Sequence, residues 1–132
     1  MPTVLLDTDI VSFLLKGDTR AAAYMPLLTG NRFALSFMTV AELFQWAGVR
    51  KWGARRVAAL EQTLIGYLIL PADVEMCRIW GTVRVNRASA GRPISPQDAW
   101  IAATALRHSL PLITHNASDY QSIPALDART AP

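Results

Sequence analysis

Two hydrophobic patterns alternate along the chain. Short, nearly unbroken apolar runs are what strands buried on both faces produce, and longer stretches with apolar positions every three or four residues mark helices. Thr3–Leu6, Phe33–Ser36, Tyr67–Leu70 and Leu112–Thr114 are runs of the first kind, with Pro71 stopping the third. Between them, helices are predicted over Asp9–Lys16 (ended by Gly17), Thr19–Leu28, Thr39–Arg50 and Ala54–Leu64. Another lies within Ala72–Ala90, where Met76, Ile79, Trp80 and Val83 share a face. Gly91–Ser95 is a loop, and Pro96 sits at the first turn of a helix reaching His108. The tail after Asp119 adds a short edge strand near Leu126. Strands alternating with helices predict an α/β fold, a central parallel β-sheet of four to five strands flanked by helices.

Composition narrows the class. A chain of 132 residues fits one domain, 1–132, and 52% apolar against 17% charged residues is a globular balance. The longest apolar stretches, Ile10–Leu15 and Leu64–Leu70, are interrupted by Ser12 and Gly66. Both fall far short of the roughly 20 residues that span a bilayer, so no membrane partner is expected. The start carries no basic segment followed by an apolar one, so no signal peptide is expected. Cys77 is the sole cysteine, which excludes an intrachain disulfide and a cysteine metal cluster and fits a reducing, cytoplasmic setting. The net charge is +3, and Lys16 and Lys51 are the only lysines among 13 basic residues. Arginine suits phosphate and base contacts, so an RNA or DNA partner becomes worth testing against the motifs.

The acids supply that test. Asp7 ends the first strand and Asp119 follows the fourth; Glu42 falls in the first turn of the helix opened by Thr39, and Asp98 in the first turn of the Pro96 helix. In a parallel sheet the carboxyl ends of all strands share one edge, where ligands bind. With Asp9, five of the ten acids gather at these junctions. Thr39–Glu42, Ser95–Asp98 and nearly Asn116–Asp119 also have the spacing of a helix capping box, so each acid alone is explained as a cap. The two accounts are compatible, because a helix N-terminus keeps a carboxylate ionised. Asp7 differs from the rest, since a carboxylate at the end of a buried apolar strand needs a strong partner. A hard divalent cation answers the mutual repulsion of such a cluster: Mg2+ takes oxygen ligands and keeps several waters, and Mn2+ accepts the same set. Zinc does not fit, since His108 and His115, the only histidines, lack ligand spacing to the acids.

Four segments then resemble a known family in order and spacing. They are Val4–Val11, Phe37–Leu43 around Thr39 and Glu42, Ile94–Ala105 around Asp98, and Leu112–Tyr120, which holds Thr114, Asn116 and Asp119. From end to end the chain resembles PIN-domain ribonucleases of the VapC toxin type. The resemblance implies a PIN fold and an Mg2+- or Mn2+-dependent endoribonuclease with Asp7, Glu42, Asp98 and Asp119 as its acidic, metal-holding set. It implies Thr39, Thr114 and Asn116 as polar supports and structured RNA such as tRNA as substrate. It further implies a homodimer neutralised by a cognate antitoxin, with a higher complex between the two. Asp9 stands where this family often has Asn and adds a fifth carboxylate; Asn116 stands where some members carry an acid.

Two basic clusters are candidate RNA contacts: Arg50, Lys51, Arg55 and Arg56 between two helices, and Arg84, Arg87 and Arg92 before the Asp98 helix. Each equally describes a solvated helix face. Trp46 and Trp52 flank the first cluster and suit either base stacking or an apolar groove, whereas Trp80 and Trp100 are expected in the core. His108 and His115 show no partner and are expected at the surface or at helix caps. Two rivals remain. Asp7-Thr-Asp9 after an apolar strand also resembles haloacid-dehalogenase-like phosphatases, with Asp7 as nucleophile, although that chemistry needs a lysine after a later strand. A catalytically silent PIN-like module that only binds RNA or protein would have no use for the full acid set.

Overall fold

The computed structural model describes all 132 residues. In chain order the elements are β1 (Thr3–Leu6), α1 (Thr8–Lys16), α2 (Ala21–Leu28), β2 (Arg32–Ser36), α3 (Phe37–Val49) and α4 (Ala54–Leu64). Then come β3 (Leu68–Leu70), α5 (Val74–Ser89), α6 (Pro96–His108), β4 (Leu112–Ile113), a 3-10 turn (Ala117–Tyr120) and β5 (Ala128–Arg129). The five strands form one sheet in the order β3-β2-β1-β4-β5, with every adjacent pair parallel.

Apolar side chains on both faces of the central strands β1, β2 and β4 explain the three layers. Leu5, Ala34 and Leu112 point to one side and pack with Val83, Ile101, Ala102 and Ala105 of α5 and α6. Their neighbours Val4, Leu6, Leu35 and Ile113 point the other way, onto Ile10, Val11, Tyr24, Leu43 and Leu60 of the first four helices. Burying each large aliphatic side chain contributes about 1.5–3 kcal/mol, so the strands hold their alternation against slippage. Gly17 ends α1 in the left-handed conformation at φ 62°, a region open to glycine at little cost.

Several boundaries differ from the sequence expectation. The fifth strand is Ala128–Arg129, beyond Leu126. Helix α3 begins at Phe37, not Thr39: Ser36 ends β2 and also caps α3, its hydroxyl accepting the Met38 N–H at 3.2 Å. Glu42 therefore lies in the second turn and belongs to no capping box. The Ser95 cap is as expected, its hydroxyl accepting the Asp98 N–H at 3.1 Å, whereas the Asn116 side chain caps nothing. Trp80 and Trp100 are half-buried, stacked on each other at 5.0 Å between ring centres, with Phe37 against the edge of the stack. They form an aromatic seam beside the α5–α6 core and are not fully inside it, because the Trp80 indole N–H reaches out to the Pro96 carbonyl.

Candidate functional site

The strand order switches between β1 and β4: from β1 the chain builds β2 and then β3 outward on one side, and β4 and β5 are laid down later on the other. Parallel sheets open a crevice at such a switch point, beyond the strand ends. Here the hollow has a volume of about 170 Å³ and is lined by Asp7, Thr8, Asp9, Glu42, Trp46, Asp98, Asn116 and Asp119. All five acids singled out from the sequence are in it.

Asp7 caps α1 and is 6% exposed. Its Oδ1 accepts the Thr8 N–H at 2.8 Å; its Oδ2 accepts the Thr114 hydroxyl at 2.7 Å and the Tyr120 hydroxyl at 3.0 Å. The Thr114 hydroxyl in turn accepts the Asn116 N–H at 3.1 Å. Across the hollow, the Thr8 hydroxyl donates to Glu42 Oε1 at 3.0 Å and meets the Thr39 hydroxyl at 2.9 Å. Thr39 thus supports Glu42 through Thr8. Asp9 straps α1 to the loop after β4: its Oδ1 accepts the Ile10 N–H, and its Oδ2 accepts the His115 N–H and the Asn116 amide, both at 3.0 Å. Asp98 Oδ1 lies 3.3 Å from the Tyr120 hydroxyl. Asp119 faces the hollow from the 3-10 turn, exposed to solvent.

Electrostatics set this cluster apart. The four ion pairs of the structure are Asp18–Arg20, Glu75–Arg78, Asp73–Arg107 and Asp127–Arg129, all outside the hollow. Burial, then the charge of Asp9, pushes the Asp7 carboxyl from 3.8 up to about 7, against the pull of its three donors. Burial also raises Asp9, Glu42 and Asp98, with Asp98 feeling Asp119 and Glu42 feeling Asp98 and Asp9. Carboxylates held together with no ion-pair partner take up protons, or a metal, to relieve the repulsion. No three of them converge into a ready-made cage. Mg2+ tolerates that arrangement, because it keeps part of its water shell, so the donor set fits a hard divalent ion.

Of the two basic clusters, the first is exposed as expected. Arg50 and Lys16 lie over the Trp46 ring at 5.4 and 5.8 Å, and Arg56 covers Trp52 at 4.2 Å. With Leu15, Leu43 and Leu60 these two tryptophans form an apolar groove, and Trp46 is shared between groove and hollow. The second cluster corrects the expectation. Arg87 is 5% exposed, and its guanidinium donates to the carbonyls of Arg92 at 2.6 Å and Asp119 at 3.0 Å. Arg84 binds the Ile94 carbonyl, and Arg92 binds the Gln121 side chain at 2.9 Å. Their donors clamp the two loops that carry Asp98 and Asp119, which leaves Arg87 no reach toward a phosphate. His115 is exposed, as expected, but it also has a partner: its Nδ1 is 2.6 Å from the Tyr24 hydroxyl, and its ring meets Phe13 edge-on.

Thr8 and Tyr120 join the site although the sequence alone assigns neither a role, even though both lie inside segments that carry the family resemblance. Thr8 stands between two singled-out acids and Tyr120 directly follows a third, and that proximity is a signal that could have found them. Neither lysine lines the hollow, so the phosphate-holding lysine of the phosphatase alternative is missing.

Comparison with known proteins follows the same outline. A PIN domain family profile matches residues 4–125. The chain is 32% identical over 121 residues to "Ribonuclease VapC1" of Haemophilus influenzae, covering 90% of each chain. It is 26% identical over 122 residues to "tRNA(fMet)-specific endonuclease VapC" of Shigella flexneri, covering 92% of each. It superposes on a chain of the VapBC-1 crystal structure from nontypeable Haemophilus influenzae with a TM-score of 0.82 at 31% identity, covering 97% of both.

Proposed function

Because the chain belongs to the PIN-domain family, among the VapC ribonucleases, we propose that it is a divalent-metal-dependent endoribonuclease, the toxin of a toxin–antitoxin pair. The observation that carries this is the hollow itself: five acids from four parts of the chain, their carboxyls free of any ion pair, at the switch point of a parallel sheet. Asp7, Glu42, Asp98 and Asp119 are the residues that would hold the metal. When bound there, Mg2+ or Mn2+ would polarise a phosphoryl oxygen and acidify the attacking water.

The protein's own groups orient and exchange protons. Thr114 and Thr8 turn Asp7, and Thr8 with Thr39 turns Glu42. Glu42 Oε1 accepts the Thr8 hydroxyl and keeps one position for a cation, while Oε2 is left for the proton of the attacking water; the raised proton affinity of the carboxyl suits that role. Asp9, with Oδ1 engaged by Ile10 of α1 and Oδ2 by the loop after β4, serves to hold Asn116 and the β4 end in place.

Structured RNA such as tRNA is the proposed substrate, in keeping with the name of the Shigella relative. A cognate VapB-like antitoxin is the proposed partner, in keeping with the VapBC assembly, and a homodimer is the unit that the family resemblance implies. The exposed Cys77 thiol and an RNA substrate agree with a cytoplasmic site of action. No helix is long and apolar enough to cross a membrane.

Antitoxin-free protein should cleave RNA with Mg2+ or Mn2+ and stop when EDTA is added. Metal-independent cleavage, or stable RNA binding with no cleavage under either metal, would remove the proposal in favour of another mechanism or a binding-only module.

The exposed Arg50–Arg56 cluster gives a separate prediction. Replacing Lys51 and Arg55 by Ala should weaken RNA binding and flatten the dependence of log K on log salt. The slope should shrink by up to about 0.7–0.9 for each phosphate that is no longer neutralised. Unchanged slopes would assign that surface to something other than RNA.

A further inference from the structure

Tyr120 closes the 3-10 turn after β4 with 3% of its surface exposed, its ring packed in the α5–α6 core layer among Leu5, Val83 and Ile94. That packing leaves the hydroxyl little freedom. It ends between two carboxylates from distant parts of the chain, its one proton donated to Asp7 Oδ2 at 3.0 Å, with Asp98 Oδ1 a longer contact at 3.3 Å. Neither contact belongs to the acid–threonine–asparagine set that the sequence points to.

Counting lone pairs shows what the hydroxyl does. A carboxylate oxygen offers about two acceptor positions. Asp7 Oδ2 already accepts the Thr114 hydroxyl, so Tyr120 fills it. Asp7 Oδ1 accepts only the Thr8 N–H and keeps one position open. A cation approaching Asp7 thus finds a single available oxygen. The same hydroxyl touches Asp98, so the separation of the two carboxylates is set by an atom fixed in the core rather than by their own flexible side chains.

We infer that Tyr120 is a positioning residue for the metal site: its hydroxyl makes Asp7 a one-oxygen ligand and fixes the Asp7–Asp98 span, and so favours Mg2+ over less exacting ions. This rests on the metal-dependent nuclease proposed above. Mg2+ demands near-ideal octahedral geometry, and a carboxylate freed to swing or to bind through both oxygens degrades that geometry. Mn2+ is larger and accepts carboxylate and water ligands in looser sets, so it loses less.

Tyr120→Phe tests this, because it keeps the ring and deletes one oxygen. The measurement is calorimetric titration of Mg2+ and of Mn2+ into the metal-stripped full chain, without RNA, beside thermal unfolding in EDTA to verify the fold. Groups that hydrogen-bond to metal ligands are typically worth about 10–100-fold in affinity. The variant should lose about tenfold or more in Mg2+ affinity and about threefold or less for Mn2+, with cleavage recovering in Mn2+. Isotherms identical to wild type for both metals would reduce Tyr120 to a core side chain and overturn the inference. An equal loss for both metals would overturn the geometric preference. Wild-type protein that binds neither metal would instead sink the metal-site proposal itself, and the inference with it.

Discussion

Asp7→Asn is expected to eliminate RNA cleavage and, in the same protein, to raise the melting temperature of the metal-free form at pH 7.5 by about 5 °C or more. The two effects come from one cause. Asp7 is buried, and its carboxyl is pushed from 3.8 to about 7 by burial and by Asp9. Below about pH 4 it is protonated in both folded and unfolded chains and contributes nothing. Between about 4 and 7 the folded chain keeps a proton that the unfolded chain releases, so stability falls by up to about 1.4 kcal/mol per pH unit. Above about 7 the penalty is complete, a few kcal/mol in all. Asn carries no charge, and its amide is accommodated because the Thr114 and Tyr120 hydroxyls can accept as well as donate.

The wild-type metal-free melting temperature should therefore decline from about pH 4.5 to 7.5, and the variant's much less. Added Mg2+ should restore the wild type, because the bound cation offsets the charge of the buried carboxylate and binds only the folded chain, and leave the variant nearly unmoved. Cleavage in the variant should fall by about a thousandfold or more, and Asp98→Asn should match it while keeping the fold and RNA binding. If metal-free wild type proved as stable at the upper pH as at the lower, Asp7 would not be strained. A variant cleaving at the wild-type rate would remove Asp7 from the site.

The parts of this site that are legible in the sequence are those that local chemistry determines. Asp7 is visible because a polar residue ends a buried strand, and Asp98 because Ser95 and Pro96 announce a helix start. Both are where the sequence puts them. Glu42 comes to the correct edge by an unexpected route. Ser36 ends a strand and caps a helix at once, so the helix begins earlier than the Thr39 spacing suggests, and Glu42 reaches the hollow from its second turn. Tyr120 is illegible for a different reason. An apolar ring at the end of a short turn predicts burial, and nothing in one dimension shows that its oxygen falls between carboxylates supplied over a hundred positions away and over twenty positions away.

The arginines divide by a rule that the sequence does carry. Met76, Trp80 and Val83 lie on one face of α5, and the next step of four along that face is Arg87. Grouping Arg84, Arg87 and Arg92 by proximity in sequence conceals a helical register that sends Arg87 inward. Arg50, Lys51, Arg55 and Arg56 lie at the end of α3 and the start of α4, where the chain turns at the surface, and stay exposed; Arg50 and Arg56 rest on Trp46 and Trp52 at the rim of the apolar groove.

That register leads to the second large effect, in which Arg87→Met should lose about 2–4 kcal/mol of stability and cut cleavage by about tenfold or more. Met keeps an unbranched stem of similar volume and removes the donors. The carbonyls of Arg92 and Asp119 then lose their partner, and a buried acceptor left unpaired costs about 1–3 kcal/mol. Against this stands relief from desolvating a buried guanidinium, which by itself would favour Met. The loss should win, because the Arg87 charge also lowers the proton affinity of Asp98, so removing it leaves the acid cluster with less to oppose its repulsion. Activity falls because the turn carrying Asp119 loses its anchor, and displacements of about 1 Å in a catalytic group commonly cost far more than tenfold. Arg55→Ala, on the exposed helix face, should leave stability within about 0.5 kcal/mol and act only on RNA affinity. Thermal unfolding and RNA titration on the two variants separate the roles. If Arg87→Met melted with the wild type and bound RNA with a shallower salt slope, Arg87 would be a phosphate-binding residue after all, and the clamp on the Asp119 loop would have to be sought in Arg84 and Arg92.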